Sequence, residues 1–335
     1  MAGRGPRRAL AVSTASSLPV SLFGLDPDGY EPHALHHPSQ AYPETNCYVD
    51  VLVELLHAAG REPLAVMACA LVLDFEGDQF TFFKPDLEAV RGLLGVEIHE
   101  MQPYRPLPAQ IAEQIRAGRT LIVEADSWYL PDTAGTSYRQ EHVKSSIAVE
   151  GIDLEAGRAH YFHNGGLFAL DGEDFRGALR VDVPPGDALL PPYTELARFD
   201  AGTALDGEPL RAASVELLRD ALRRRPAADP FTAFGVRLAT DLPMLVAGDA
   251  EQMAAHVFAT VRMAGAAASV AGMYATWLFG SAAGELAARL QQVADACKTL
   301  SFKLARRRVF DAQPLVDAAG QHWTAALAGL DELAG

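Results

Sequence analysis

Glu44-Thr45-Asn46-Cys47-Tyr48-Val49-Asp50 is the stretch whose reading decides the rest of the chain. Ahead of it runs a polar, turn-prone segment containing His36, Pro38, Ser39 and Pro43. Behind it, Val51, Leu52, Leu55, Leu56 and Ala59 follow the spacing of one helical face. Thr45 or Asn46 can cap the first turn, and Gly60 suits the C-terminal stop. Cys47 therefore falls in the first turn of a predicted helix, where free backbone N–H groups and the positive dipole end favour an anionic sulfur. Cysteine acyl-transfer enzymes keep their nucleophile in such a place. The plainer reading is a small buried residue that only packs.

The chain has 335 residues, 49% of them hydrophobic, enough for two domains and a sizeable core. A formal net charge of −15 argues against broad nonspecific nucleic-acid binding, which relies on Lys and Arg at phosphates. Cys47, Cys69 and Cys297 are odd in number and widely spaced, which argues against a disulfide framework and sets a reducing cytoplasm as the expected compartment. Arg4, Arg7 and Arg8 precede a stretch with too many Ser and Thr residues for an export signal, so residues 1–20 read as a flexible lead-in. Residues 263–280 carry no charge but are mostly Ala and Gly; a buried bundle helix explains them better than a membrane span.

Beyond the cysteine helix, residues 64–73 form an apolar run that periodicity leaves open between strand and helix. An acidic turn at 74–79 leads into a strand-like alternation at 80–84, a helix at 86–94 closed by Gly95, and an extended segment at 96–101. A helix at 108–117, a strand at 121–126 and a turn at 131–135 follow. Residues 142–152 and 159–163 then make a predicted hairpin that ends at Asn164-Gly165-Gly166. A capped turn or short helix at 171–175 and a proline-rich linker at 181–193 come next. From about residue 195 the pattern is helical, over 209–225, 230–245, 250–279, 282–309 and 314–333, with alanine-rich faces that allow close packing. The expected organisation is α+β: a lead-in at 1–20, a catalytic domain at 21–190 and an all-α domain at 195–335.

Cys47 at a helix start, His142 at a strand start and Asn164 at the next strand's end stand in the order a papain-like site needs. The histidine serves as base and a third group fixes its tautomer. The segment 46–164 resembles the papain-like N-terminal domain of the butirosin-pathway acyltransferases and is similar to bacteriocin-processing cysteine peptidases. Asn46-Cys47-Tyr48-Val49-Asp50, Asp74-Phe75-Glu76-Gly77-Asp78-Gln79, Leu130-Pro131-Asp132-Thr133, His142-Val143-Lys144 and Tyr161-Phe162-His163-Asn164 resemble, more closely, a bacterial family often encoded beside amino acid:carrier-protein ligases. The resemblance implies transfer of an aminoacyl group from an acyl or peptidyl carrier-protein thioester to a small nucleophile. The phosphopantetheine arm would then be part of the substrate, with no bound cofactor and no membrane. The chain is also similar to azoxy-natural-product transferases that use a charged tRNA. Two rival functions compete with aminoacyl transfer: a peptidase or amidase working through the same residues, and a non-catalytic carrier-binding protein whose Cys47 is structural.

Processing peptidases carry a Gln oxyanion donor shortly before the cysteine and an Asp after the histidine. Here Gln40 lies seven residues before Cys47, and Asn164 stands in the Asp slot. The Cys47 N–H with a side-chain donor from Asn46 or Gln40 can supply the oxyanion hole instead. Asp74, Glu76 and Asp78 fall short of a calcium loop and read as a turn rather than a metal site. They can hold an α-ammonium group, a role for which Glu124 and Asp126 compete. Lys144 shares a strand face with His142 and can meet a carboxylate or a phosphopantetheine phosphate, or stand as a solvated edge lysine. Asp50, Glu54 and His57 read as the wet face of the cysteine helix, and Tyr274 and Trp277 as bundle core. His160 and His163, three apart on a strand, point to opposite faces and make a poor metal pair. The arginine runs 223–225 and 306–308 are the candidates for contacting an acidic carrier or tRNA.

Overall fold

Alternation along the strands settles which residues face which layer. In the computed structural model, which describes residues 18–183, 190–199, 202 and 204–335, the strands are β1 (Val20–Ser21), β2 (Val96–Glu100), β3 (Arg119–Asp126), β4 (Lys144–Asp153), β5 (Arg158–His163), β6 (Gly166–Leu170) and β7 (Thr194–Phe199). They form one antiparallel sheet in the order β2-β7-β3-β4-β5-β6, with β1 added on β4. Successive side chains leave opposite faces of a strand. Leu121, Val123, Ile147, Val149 and Tyr161 thus share one core with α3 (Leu107–Arg116) and α4 (Gly172–Ala178). Ile122, Ala148, Phe162 and Ala197 face the other way, into a second and larger core.

Helix α1 (Cys47–Ala58) lies in that larger core, against β4 and β5. Asn46 is its N-cap: the side chain accepts the Val49 N–H at 3.0 Å and so satisfies one of the orphan donors of the first turn. Every residue from Val49 to Leu56 is buried. Full burial of Leu52, Leu55 and Leu56 contributes about 1.5–3 kcal/mol each. The wet face expected for this helix is not there. Asp50 and Glu54 are buried because the 30–46 segment folds over them and supplies partners.

The second half is helical as expected: α5 (Gly207–Arg224), α6 (Pro230–Ala247), α7 (Ala250–Val257), α8 (Met263–Phe279), α9 (Gly284–Ala305) and α10 (Gln313–Ala334). A π-helical turn, Phe258–Arg262, separates α7 from α8 within what reads as one segment. α8 packs on α9 and on the 3-10 stretch Pro63–Val72, and Tyr274 is fully buried there. Leu218, Phe234, Tyr274 and Trp323 belong to the same hydrophobic core as Leu52, Leu55 and Met67. The two halves differ in secondary structure and share one interior.

The apolar run at 64–73, open in the sequence between strand and helix, is a 3-10 helix. Two expectations change. Residues 80–84 form only an isolated bridge, Phe75 with Phe80. β7 is inserted between β2 and β3, so the sheet region runs through Phe199 rather than ending near residue 190. The lead-in at 1–20 lies outside the described residues up to residue 17, as does 184–189 of the linker.

Candidate functional site

The N-terminus of α1 points Cys47 at strand β4, where the Sγ lies 3.7 Å from the Ser146 Oγ. The thiol is half-buried, as Cys69 is, whereas Cys297 is fully buried and its thiol is pushed up to about 12. The Asn46 carbonyl takes the Asp50 N–H at 3.0 Å, and the Asn46 Oδ1 takes that of Val49. The N–H groups of Cys47 and Tyr48 have no partner among the described residues. Those two donors sit beside the sulfur, where an oxyanion formed on an attacked carbonyl needs them. Ser146 accepts from the thiol, a weak donor, and its own proton remains available on the same side.

Register places further candidates around this point. Ser146 pairs with Glu124 and Lys144 with Asp126, so these four side chains share one sheet face, and the Lys144 Nζ meets the Glu124 Oε1 at 3.1 Å. His142 lies just ahead of β4, outside the strand in which it was expected. Its Nδ1 is 2.7 Å from the Asp126 Oδ2, and its ring stacks on Trp128 with centroids 4.6 Å apart. Asp126 also accepts the Trp128 N–H at 3.0 Å, which fixes the carboxylate. The group in contact with the His142 ring nitrogen is therefore Asp126, and no hydrogen bond joins Asn164 to His142 among the described residues. No hydrogen bond joins His142 to Cys47 among the described residues, and the histidine is exposed.

Asn164 sits in the two-residue turn between β5 and β6 with a φ of 45°, a left-handed conformation that asparagine tolerates. Ala148 pairs with Phe162, and the same register carried on brings Asn164 level with Ser146. Its neighbour Gly165 has no room for a side chain: a Cβ there would come 2.6 Å from the His36 Cβ. His36 in turn bridges two α1 carboxylates, with its Nε2 3.3 Å from the Asp50 Oδ1 and its Nδ1 bonded to Glu54. Burial alone would lower the His36 pKa, but the hydrogen bonds and charges of Asp50 and Glu54 override it and raise the value to about 9. Tyr30 and Thr45 complete this network, so Asp50 and Glu54 anchor the loop that approaches Cys47.

The predicted side-chain oxyanion donors, Asn46 and Gln40, are otherwise engaged. The Asn46 Nδ2 donates to the Phe83 carbonyl at 3.2 Å, and Gln40 borders a cavity of about 340 Å³ with Ala268, Met273 and Trp277. Asp74, Glu76 and Asp78 belong to a turn beside α6, where Arg237 donates to the Gly77 carbonyl at 3.2 Å. No hydrogen bond or ion pair links that turn to Glu124, Asp126 or Lys144 among the described residues. Nor do the described residues contain a group of three or more His, Cys, Asp or Glu able to hold a metal ion. Arg223 and Arg224 pair with Asp220, and Arg225 with Asp331.

Two groupings escaped the sequence reading. Glu195, on β7, accepts the Tyr48 hydroxyl at 2.6 Å and the Tyr193 hydroxyl at 2.9 Å, with the Lys84 Nζ at 3.5 Å. On the opposite face, the Ser145 Oγ is 2.6 Å from the His163 Nε2, whose Nδ1 is 2.5 Å from the Asp132 Oδ2. The signal for Glu195 was the strand-like Thr194-Glu195-Leu196-Ala197, masked by the four prolines before it.

An α+β region built on an antiparallel sheet, followed by an all-helical region, is thus the class of protein that the chain represents. It belongs to the DUF1839 family: residues 31–199 match the DUF1839 N-terminal domain and residues 207–332 the DUF1839 C-terminal domain. No curated protein matches the chain.

Proposed function

We propose that the protein is a cysteine-dependent acyltransferase with a papain-like N-terminal domain. It moves an aminoacyl group from a carrier-protein thioester to a small amine, hydroxylamine or hydroxyl acceptor. The observation that carries this reading is Cys47 at the first turn of a buried helix, beside two unpartnered N–H groups and the Ser146 hydroxyl. In the first step the Cys47 sulfur attacks the thioester carbonyl, the carrier's C–S bond breaks, and the carrier thiol leaves with the proton taken from Cys47. The N–H groups of Cys47 and Tyr48 and the Ser146 hydroxyl hold the oxyanion. In the second step the acceptor attacks the acyl-enzyme, gives up its proton, and Cys47 is released as thiol. His142 carries the proton in both steps: Asp126 holds its Nδ1, leaving the Nε2 for exchange. The ring is exposed and makes no hydrogen bond to Cys47 among the described residues, so its exchange of a proton with the sulfur rests on the Asp126 contact and on the order of the three residues along the chain.

A carrier is favoured over an aminoacyl-tRNA because the net charge is −15 and the 223–225 arginines are engaged in ion pairs, which leaves the short exposed 306–308 run as a footprint suited to a small acidic partner. Incubation with an aminoacyl carrier thioester should give an acyl adduct on Cys47 by intact mass. Cys47→Ala should give none and lose turnover by at least about a thousandfold. An amine acceptor should divert the acyl group from water; hydrolysis that ignores it would make the protein a peptidase or amidase instead. Full turnover by Cys47→Ala would end the proposal.

A further inference from the structure

Glu195 is a carboxylate on the apolar-facing side of a strand pair, with Ile122 opposite it in register and Ala197 two residues on. Only 3% of its side chain is exposed, against 41% for Lys84. Desolvating a carboxylate costs several kcal/mol unless its oxygens are satisfied. Two tyrosine hydroxyls do that here: Tyr48 gives its proton to one oxygen and Tyr193 to the other. Burial and the Glu195 charge push both phenols up, Tyr193 to about 12, so both stay protonated as donors.

The Lys84 ammonium completes the arrangement in a loose way. It stands 3.5 Å from Glu195 and 3.7 Å above the Tyr48 ring. A carboxylate joined to an aromatic face is the chemistry that recognises an ammonium group. The place is tied to the nucleophile from both sides of Cys47. Asn46 holds the Phe83 carbonyl and with it the backbone that bears Lys84, while Tyr48 reaches Glu195 directly.

We infer that Glu195, Tyr48 and Tyr193 form a binding site for a primary ammonium group of the substrate, with Lys84 as the side chain that the incoming group displaces. The role of that group as the α-ammonium of a transferred aminoacyl unit rests on the function proposed above. The binding site itself does not depend on that reading. Glu124 and Asp126 lie on the same sheet face and attract cations without selecting them, so the contribution of Glu195 has to be isolated.

The test uses three methanethiosulfonates that convert the Cys47 thiol to a mixed disulfide with release of methanesulfinate: 2-aminoethyl, methyl and 2-sulfonatoethyl. Rates on the full chain are read by intact mass and peptide mapping and divided by those on 2-mercaptoethanol. The aminoethyl reagent should be favoured over the methyl reagent by on the order of tenfold, the effect of one partly buried charge pair. Glu195→Gln should abolish the preference, Tyr48→Phe should weaken it, and Lys84→Met should increase it. An unchanged preference in Glu195→Gln overturns the inference. So does a Lys84→Met ratio equal to wild type, which would make the pair a structural ion pair only. A Cys47 that no reagent modifies also overturns it. If Glu195→Gln does not fold, the exposed Lys84 position still decides. Because no acyl group moves, an ammonium preference can stand if the transferase reading fails, and the reverse.

Discussion

Ser145 and Ser146 follow one another on β4 and leave the sheet on opposite faces, so one strand position offers a direct comparison of two polar groupings. On the Ser145 face the hydroxyl meets His163, His163 meets Asp132, and Asp132 also takes the Tyr161 hydroxyl. Each of these bonds is short and buried; the exposed fractions of the His163 and Asp132 side chains are 2% and 3%. The connectivity matches that of a serine-hydrolase relay, yet its histidine and carboxylate side chains are enclosed by the fold. On the Ser146 face the hydroxyl's hydrogen-bond partner is a thiol at 3.7 Å, two N–H groups are unpartnered among the described residues, and His142 is exposed. A satisfied network rigidifies a fold; unspent donors beside a half-buried sulfur are what a reaction site needs. Connectivity alone would have selected the Ser145 face.

The largest effect should come from breaking the satisfied side. Asp132→Ala leaves His163 and the Tyr161 hydroxyl buried without their acceptor and should cost about 3–5 kcal/mol. Denaturant unfolding measures it. A loss under about 1 kcal/mol would mean that this network does not hold the 127–143 segment to the sheet, and the contrast between the faces would collapse.

The His36 network tests whether burial rather than the choice of face decides which group is structural, because it lies on the Cys47 side. Its folded pKa of about 9 is above the ordinary value near 6.5. Protonated His36 therefore stabilises the fold fully below about pH 6.5, and that contribution disappears as pH rises through about 9. The amount is about 3 kcal/mol by linkage. Unfolding free energies between pH 6.5 and 9 should fall accordingly in wild type and stay nearly flat in His36→Gln. A wild-type profile as flat as the variant's would remove His36 from the fold's ionic anchors.

What the sequence made legible follows from how local each signal is. α1 with a cap at Thr45 or Asn46, the α2 helix (Leu87–Leu94) with its Gly95 stop, and all the C-terminal helices were readable because periodicity and capping are local; the structure chooses Asn46 as the cap. β7 was not: a short strand after a proline-rich stretch declares itself only by pairing with β2 and β3, far away in sequence. Asp50 and Glu54 were misread for a related reason. Helical spacing cannot show that His36, Tyr30 and Thr45 will fold over a charged face and bury it. At the site, Cys47, His142, Glu124, Asp126 and Lys144 lie on one sheet face, but the pairing of His142 with Asp126 rather than Asn164 depends on strand register.

The smallest expected change in stability compares the two serines directly. Ser145→Ala takes a hydrogen bond from the buried His163 Nε2 and should cost about 1–3 kcal/mol. Ser146→Ala removes only a weak contact with a thiol, so its cost should stay within about 0.5 kcal/mol. If the Ser146 hydroxyl donates to the oxyanion, the same substitution should slow formation of the Cys47 acyl adduct by about 10²-fold or more. Ser145→Ala, once folded, should acylate near the wild-type rate. The two measurements together therefore separate holding the fold from serving the reaction. An adduct rate unaffected in Ser146→Ala would leave the oxyanion to the Cys47 and Tyr48 N–H groups alone. A slow rate in Ser145→Ala but not in Ser146→Ala would place the reaction on the face we assign to structure.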